Sequence, residues 1–197
     1  MLKVRKGKYS SWSIAVVLVL FAVAVGGGCS RDDNSSRGTE GGETASSLGG
    51  SGGTAARWGQ PAPAFELEDI EGNIWRLSEL AGQVVFINFW ATWCPPCREE
   101  MPSMQELYET MPKDRFKMVT ILSNDDPALA EVFAEKNGFE FPILIDPGSE
   151  AGKAYGITGV PETYIIDKEG LLRQKYLGPR QWNSPEAQKM LMDYINR

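Results

Sequence analysis

Two cysteines three positions apart, Cys94 and Cys97, are the side chains of this sequence best suited to covalent chemistry. They lie in the stretch FWATWCPPCREEMPSM (Phe89–Met104). Thiols at this spacing can close a disulfide and reopen it, with a thiolate as the attacking species. An apolar run, VVFINFW (Val84–Trp90), comes just before, and a helix is expected from Pro95. The first sulfur then sits at the positive end of that helix, near backbone N–H groups that lack intrahelical partners. This favours a thiolate on Cys94. Cys97, one turn further in, should be more buried and less reactive at rest. Three plainer readings compete. A zinc half-site would need four ligands, and the chain has three cysteines and no histidine. A purely structural disulfide across so short a ring would stabilise the fold little. Coincidental spacing is weakened by the flanking Trp90 and Trp93 and by the strand-to-helix setting. The missing histidine also excludes Cys–His and Ser–His nucleophile pairs within the chain. No cofactor is expected beyond the redox-active pair itself.

The elements that must position these thiols can be read from patterning. FELEDIEGNIWRL alternates apolar and polar residues around Glu71–Gly72–Asn73, which predicts a hairpin. Ser78 is expected to cap a short turn. The continuous apolar character of Val84–Trp90 predicts a strand buried on both faces. Met101, Met104, Leu107 and Tyr108 recur at helical spacing, so the helix should run from Pro95 to about Met111, kinked at Pro102. Lys117–Ser123 reads as a second buried strand. A helix follows from Asp125–Asp126–Pro127 to Asn137–Gly138. Then come a short strand in FPILID, a brief helix over Glu150–Tyr155, two strands around a turn at Lys168–Glu169–Gly170, and a last helix from Ser184–Pro185 through Ile195. Such alternation, ending in a hairpin and a helix, implies an α/β fold with a mixed sheet.

The chain divides by composition. Residues 57–197 suit one domain. Residues 30–56 are rich in Gly, Ser and Thr and nearly devoid of large apolar side chains, so they read as a flexible linker. Residues 1–29 form a leader: a basic start with Lys3, Arg5, Lys6 and Lys8, an apolar run from Ile14 to Val25, then Gly26–Gly28 and Cys29. Twelve apolar residues suit a signal-peptide core better than a spanning helix of about 20. Small residues directly before Cys29 resemble a bacterial lipoprotein signal, which implies lipid on Cys29, although Gly26 stands where Leu is common. An uncleaved anchor over Trp12–Gly28 is the competing reading. Either one puts the domain outside the cytoplasm, tethered to the membrane, since basic residues stay inside. Beyond the leader, sixteen Lys and Arg face all twenty-six acids, a balance of −10. That charge repels nucleic acid and excludes it as a partner.

The box WATWCPPCREEMP, with GVPETYIID further on, resembles the membrane-tethered thioredoxin-like proteins of cytochrome c maturation and their relatives, the ResA, TlpA and CcmG/DsbE group. The likeness runs through residues 58–197. It implies a thioredoxin-like fold with an added N-terminal hairpin, Cys94 as nucleophile and Cys97 as resolving thiol. It implies a cis bond at Pro161, with Trp93, Val160 and Pro161 meeting the substrate. Glu100 matches an acidic residue held to tune the thiols; the plainer reading is a solvated helix face beside Glu99. Glu162, after the proline, would be a substrate contact or a surface residue. Asn88 stands where thioredoxin has a buried aspartate that assists proton transfer. An amide cannot do that work, which leaves Glu100 as the acid–base candidate. The implied partners are a protein disulfide, such as the Cys-X-X-Cys-His of apocytochrome c, and a membrane thiol-electron donor. Two other functions stay open. One is a thiol peroxidase, because PAPAFELEDIEGN also resembles peroxiredoxins. The other is a non-catalytic chaperone or scaffold.

Overall fold

The computed structural model describes residues 56–197; the leader with Cys29, and the linker up to residue 55, lie outside the described residues. Along the chain run β1 (Glu66–Asp69), β2 (Ile74–Arg76), a 3₁₀ turn (Leu77–Leu80), β3 (Val84–Trp90), α1 (Pro95–Thr110), β4 (Phe116–Leu122) and α2 (Pro127–Asn137). They are followed by β5 (Ile143–Ile145), α3 (Glu150–Tyr155), β6 (Glu162–Ile166), β7 (Leu172–Leu177) and α4 (Pro185–Asn196).

The seven strands form one sheet in the order β2-β1-β5-β4-β3-β6-β7. β3 pairs in parallel with β4 and antiparallel with β6, so the sheet is mixed as expected. The first hairpin joins the sheet through β5, with Glu68 opposite Ile145. This is the α/β thioredoxin-like architecture with the added N-terminal hairpin.

All seven residues of β3 are buried, because helices cover both faces of its part of the sheet. Alternation sorts the side chains. Val84, Phe86 and Trp90 join Met101, Met104 and Leu107 of α1 and Leu191 and Ile195 of α4. Val85, Ile87 and Phe89 join Val119, Ile121, Tyr155 and Tyr164 on the other side. Asn88 is even-numbered and therefore points with Phe86 and Trp90 toward α1. That parity brings a polar group under the redox pair.

Helix ends follow their local chemistry. Asp126 accepts from Ala128 N–H and starts α2, and Gly138 at φ 70° ends it, a left-handed position that suits glycine. Ser184 caps α4 by accepting from Ala187 N–H. Ser78 does not act as a cap: it lies inside the 3₁₀ turn, whose N-terminal residue is Arg76, and no side chain caps that turn. α1 continues through Pro102 to Thr110 as one helix. Ser103, one residue on, donates its hydroxyl to the Glu100 carbonyl at 2.7 Å.

Candidate redox site

Cys94 is itself the N-cap of α1, a position usually held by Ser, Thr, Asp or Asn. It takes the extended backbone of a cap (φ −92°, ψ 104°), and Pro95 and Pro96 follow where a missing N–H costs nothing. The Cys97 N–H points at Cys94 Sγ from 3.2 Å. The two sulfurs are joined, with Cα atoms 5.3 Å apart. Cys94 keeps 3% of its surface exposed and Cys97 none, the order expected of an attacking and a resolving thiol. When the bond opens, the cap N–H that now meets a disulfide sulfur meets a thiolate instead. A hydrogen bond to the charged form lowers a pKa.

The other wall is the loop before β6. The Val160–Pro161 bond is cis, and the Val160 carbonyl oxygen lies 3.6 Å from Cys94 Sγ. Trp93 is 60% exposed and donates its indole N–H to the Asn124 carbonyl at 3.3 Å. Between Trp93 and Val160 opens a groove of about 290 Å³, lined also by Asn124, Ser149, Lys153 and Thr158. Asn124 (φ 49°) and Ser149 (φ 51°) are the non-glycine residues with left-handed backbones among the described residues, and they bond to each other at 3.0 Å. Such strain collects at functional edges, but no local motif in the sequence announces either residue.

Behind the sulfurs, Glu100 lies one turn beyond Cys97 on α1. It is 1% exposed, so the reading of a solvated face beside Glu99 is corrected: Glu99 is outside and Glu100 inside. Its Oε1 accepts from Asn88 Nδ2 at 2.9 Å. Its Oε2 accepts from Arg180 N at 3.0 Å and Trp182 Nε1 at 3.2 Å. Burial raises its pKa, and these three donors oppose the rise without cancelling it. Asn88 is a hydrogen-bonded core amide that also donates to Thr163 Oγ1, its partner across β3 and β6, at 2.9 Å. Its Oδ1 is buried without a partner. Trp182 is fully buried, edge-on to Phe86 with centroids 4.7 Å apart. Arg180 and Trp182 carry no signal in the sequence, since nothing in GPRQWN ties them to a helix 80 residues earlier.

Glu162 is neither a surface residue nor free to touch a substrate. It is 2% exposed and fully engaged with Thr158, Tyr164 and Lys175. Among the described residues no cluster of side chains could hold a metal ion, and no helix is long and apolar enough to cross a membrane.

Against this geometry stand the likenesses to known proteins. The model of the AhpC/TSA family matches residues 58–175. The thiol-disulfide oxidoreductase ResA of Geobacillus thermodenitrificans is 41% identical over 125 residues, which cover 64% of this chain and 72% of that protein. A solved thiol:disulfide interchange protein of the thioredoxin family from Chlorobium tepidum superposes with a TM-score of 0.62 at 27% identity, over 72% of this chain and 99% of that one. The exposed lipoprotein thioredoxin Etrx1 of Streptococcus pneumoniae superposes with a TM-score of 0.57 at 25% identity, over 68% and 98%.

Proposed function

We infer the working role of this chain from one premise: it belongs to the AhpC/TSA family, and within it to the thiol–disulfide oxidoreductases of the ResA and DsbE type. We propose that it reduces disulfides of protein partners on the extracytoplasmic side of a membrane, with Cys94 as nucleophile and Cys97 as resolving thiol. The observation that carries this is the cap geometry, in which the Cys97 N–H lies 3.2 Å from Cys94 Sγ and the Val160 carbonyl 3.6 Å away on the other side.

The reaction runs in two exchanges. The Cys94 thiolate attacks one sulfur of the partner's disulfide, forms a mixed disulfide and expels the partner's other sulfur as thiolate. Deprotonated Cys97 then attacks Cys94 Sγ, releases the second partner sulfur and closes the Cys94–Cys97 bond. Two electrons pass from the dithiol to the partner. A membrane thiol-electron donor reopens the pair for the next cycle. Trp93, Val160 and Pro161 form the face that receives the partner, and Glu100 tunes the thiols from behind. Pro95 and Pro96 supply no imidazolium of the kind that would over-stabilise Cys94 as a thiolate, which favours the reducing direction.

Residues 1–29 are the membrane signal, with lipid on Cys29, and residues 30–56 are the tether that gives the domain of 57–197 its reach. The name of the pneumococcal relative, a lipoprotein thioredoxin, supports this arrangement. The substrate is apocytochrome c, whose Cys-X-X-Cys-His must be reduced before haem attaches. The test is a trap. Cys97→Ser, expressed in the host, should accumulate apocytochrome c as a mixed disulfide on Cys94. A broad set of captured proteins would replace that substrate with general reduction, and no captured protein would overturn the redox role. Function retained by Cys94→Ser would point to the scaffold, and peroxide consumed at Cys94 without a protein disulfide would point to a peroxidase.

A further inference from the structure

The carboxylate of Glu162 has four donors. Oε1 accepts from the Thr158 N–H at 2.8 Å and the Thr158 hydroxyl at 2.7 Å. Oε2 accepts from the Tyr164 hydroxyl at 2.8 Å and from Lys175 Nζ at 2.9 Å. Thr158 and Glu162 bracket the segment Gly159–Val160–Pro161, the stretch that brings a carbonyl to within 3.6 Å of Cys94 Sγ. A single side chain thus clamps both ends of the loop that faces the sulfur. Its far end is also held by the Gly178 N–H, which donates to the Pro161 carbonyl at 2.9 Å, and by packing of Val160 on the core, but its near end is open: a Cβ built on Gly159 would meet nothing within 4 Å, and Thr158 and Gly159 are exposed. Lys175 sits opposite Tyr164 in the β6–β7 register and also donates to the Gly156 carbonyl at the end of α3 at 3.2 Å. The clamp is therefore anchored to the sheet rather than to the loop it holds.

Glu162 is buried but Lys175 is exposed, and an ion pair with one end in solvent adds little to stability. Its worth lies in fixing geometry. We propose that Glu162, with Thr158 and Lys175, is a positioning residue that holds the Val160 carbonyl in the orientation an incoming polypeptide meets, and so sets affinity for protein disulfides rather than the chemistry of the sulfurs. This rests on the reading that Val160 and Pro161 receive the partner.

Steady-state reduction of insulin by the full chain in detergent, with glutathione equilibrium and thermal unfolding measured alongside, tests it. Glu162→Gln keeps the size and removes the charge. It should raise KM for insulin about tenfold, the effect of losing roughly one charge-assisted hydrogen bond. Its kcat and the equilibrium constant of the Cys94–Cys97 pair with glutathione should move less than about twofold. Lys175→Met should raise KM about threefold by stripping one donor from a carboxylate that keeps three. A lower Tm with KM unchanged at 25 °C would mean a merely structural role and overturn the proposal. So would an equilibrium constant that shifts as far as KM does. Should Glu162→Gln fail to fold, Thr158→Val, which deletes only the hydroxyl bond, decides: a raised KM supports the clamp, and an unchanged one removes it. Failure of the wild-type chain to reduce insulin saturably would refute the Val160 reading itself, and the clamp with it.

Discussion

Glu100→Gln removes a charge while nearly preserving a shape, and its effect on Cys97 can be worked out in advance. Residues three apart on a helix have Cβ atoms about 5–6 Å apart, so a Cys97 thiolate and a Glu100 carboxylate would lie at about 6 Å. With an effective dielectric constant of about 20, their repulsion is about 3 kcal/mol, or about 2 pK units. Burial raises the Glu100 pKa, while its three neighbours, all N–H donors, stabilise the anion and oppose that rise. The carboxylate therefore holds Cys97 as a thiol while the helix terminus draws the charge to Cys94. In a Cys94→Ser background, Glu100→Gln should lower the Cys97 pKa by about 1–2 units, read from thiolate ultraviolet absorbance against pH. Stability gives a second reading. A raised acid binds its proton more tightly in the folded state, so the contribution of Glu100 to stability is full below the ordinary value of 4.5 and is lost as pH rises through the raised one. The variant should lack that loss. A Cys97 pKa unchanged within about 0.3 unit would refute the reasoning, because it would mean that Glu100 carries a proton throughout or acts on neither sulfur.

Three further outcomes follow from the same contacts. Asn88→Asp sets a second carboxylate against Glu100 Oε1, so the two should share a proton, and unfolding titrations should show stability falling more steeply than in wild type as pH rises above the ordinary carboxylate range. Trp182→Phe keeps a ring against Phe86 but deletes the N–H to Glu100 Oε2; denaturant melts should lose about 1–3 kcal/mol, and the Glu100 pKa should rise further. Gly138→Ala meets open space, so its cost is the backbone strain of φ 70° alone, about 1–2 kcal/mol by the same melts, and a neutral result would contradict the left-handed end of α2.

The features legible in the sequence share one property: their cause is contiguous. The seven apolar residues of β3 announce burial on both faces, and the step from Trp90 to Pro95 announces a strand feeding a helix. A cap is a local event, so the Cys97 N–H that meets Cys94 Sγ follows from neighbours along the chain. Asp126 and Ser184 are legible as helix starts for the same reason. Ser78 misleads because a serine followed by an acid, here Glu79, resembles a cap, whereas this turn is set by the strand pairing of Arg76 with Glu66. Patterning starts β4 at Lys117, but the pairing of Val84 with Phe116 begins that strand one residue earlier.

The properties that decide how the thiols behave come instead from distant pairings. Glu99 and Glu100 are equivalent as letters; only the rotation of α1 over Asn88, and the return of the chain at Arg180 and Trp182, make one a solvated charge and the other a buried carboxylate with three donors. Glu162 turns inward because β6 alternation points it away from Thr163, toward Tyr164 of its own strand and Lys175 of the next. The two kinds of information divide the chemistry between them. Residues 94–97 supply a thiolate wherever a strand feeds a helix, so changes there should alter rate and potential together. Residues 158–162 and 180–182 leave that cap untouched. Changes in the first group should appear as altered partner affinity and changes in the second as altered thiol pKa, and a variant that mixed the two effects would mean that the loop and the buried acid are coupled through the sulfurs they flank.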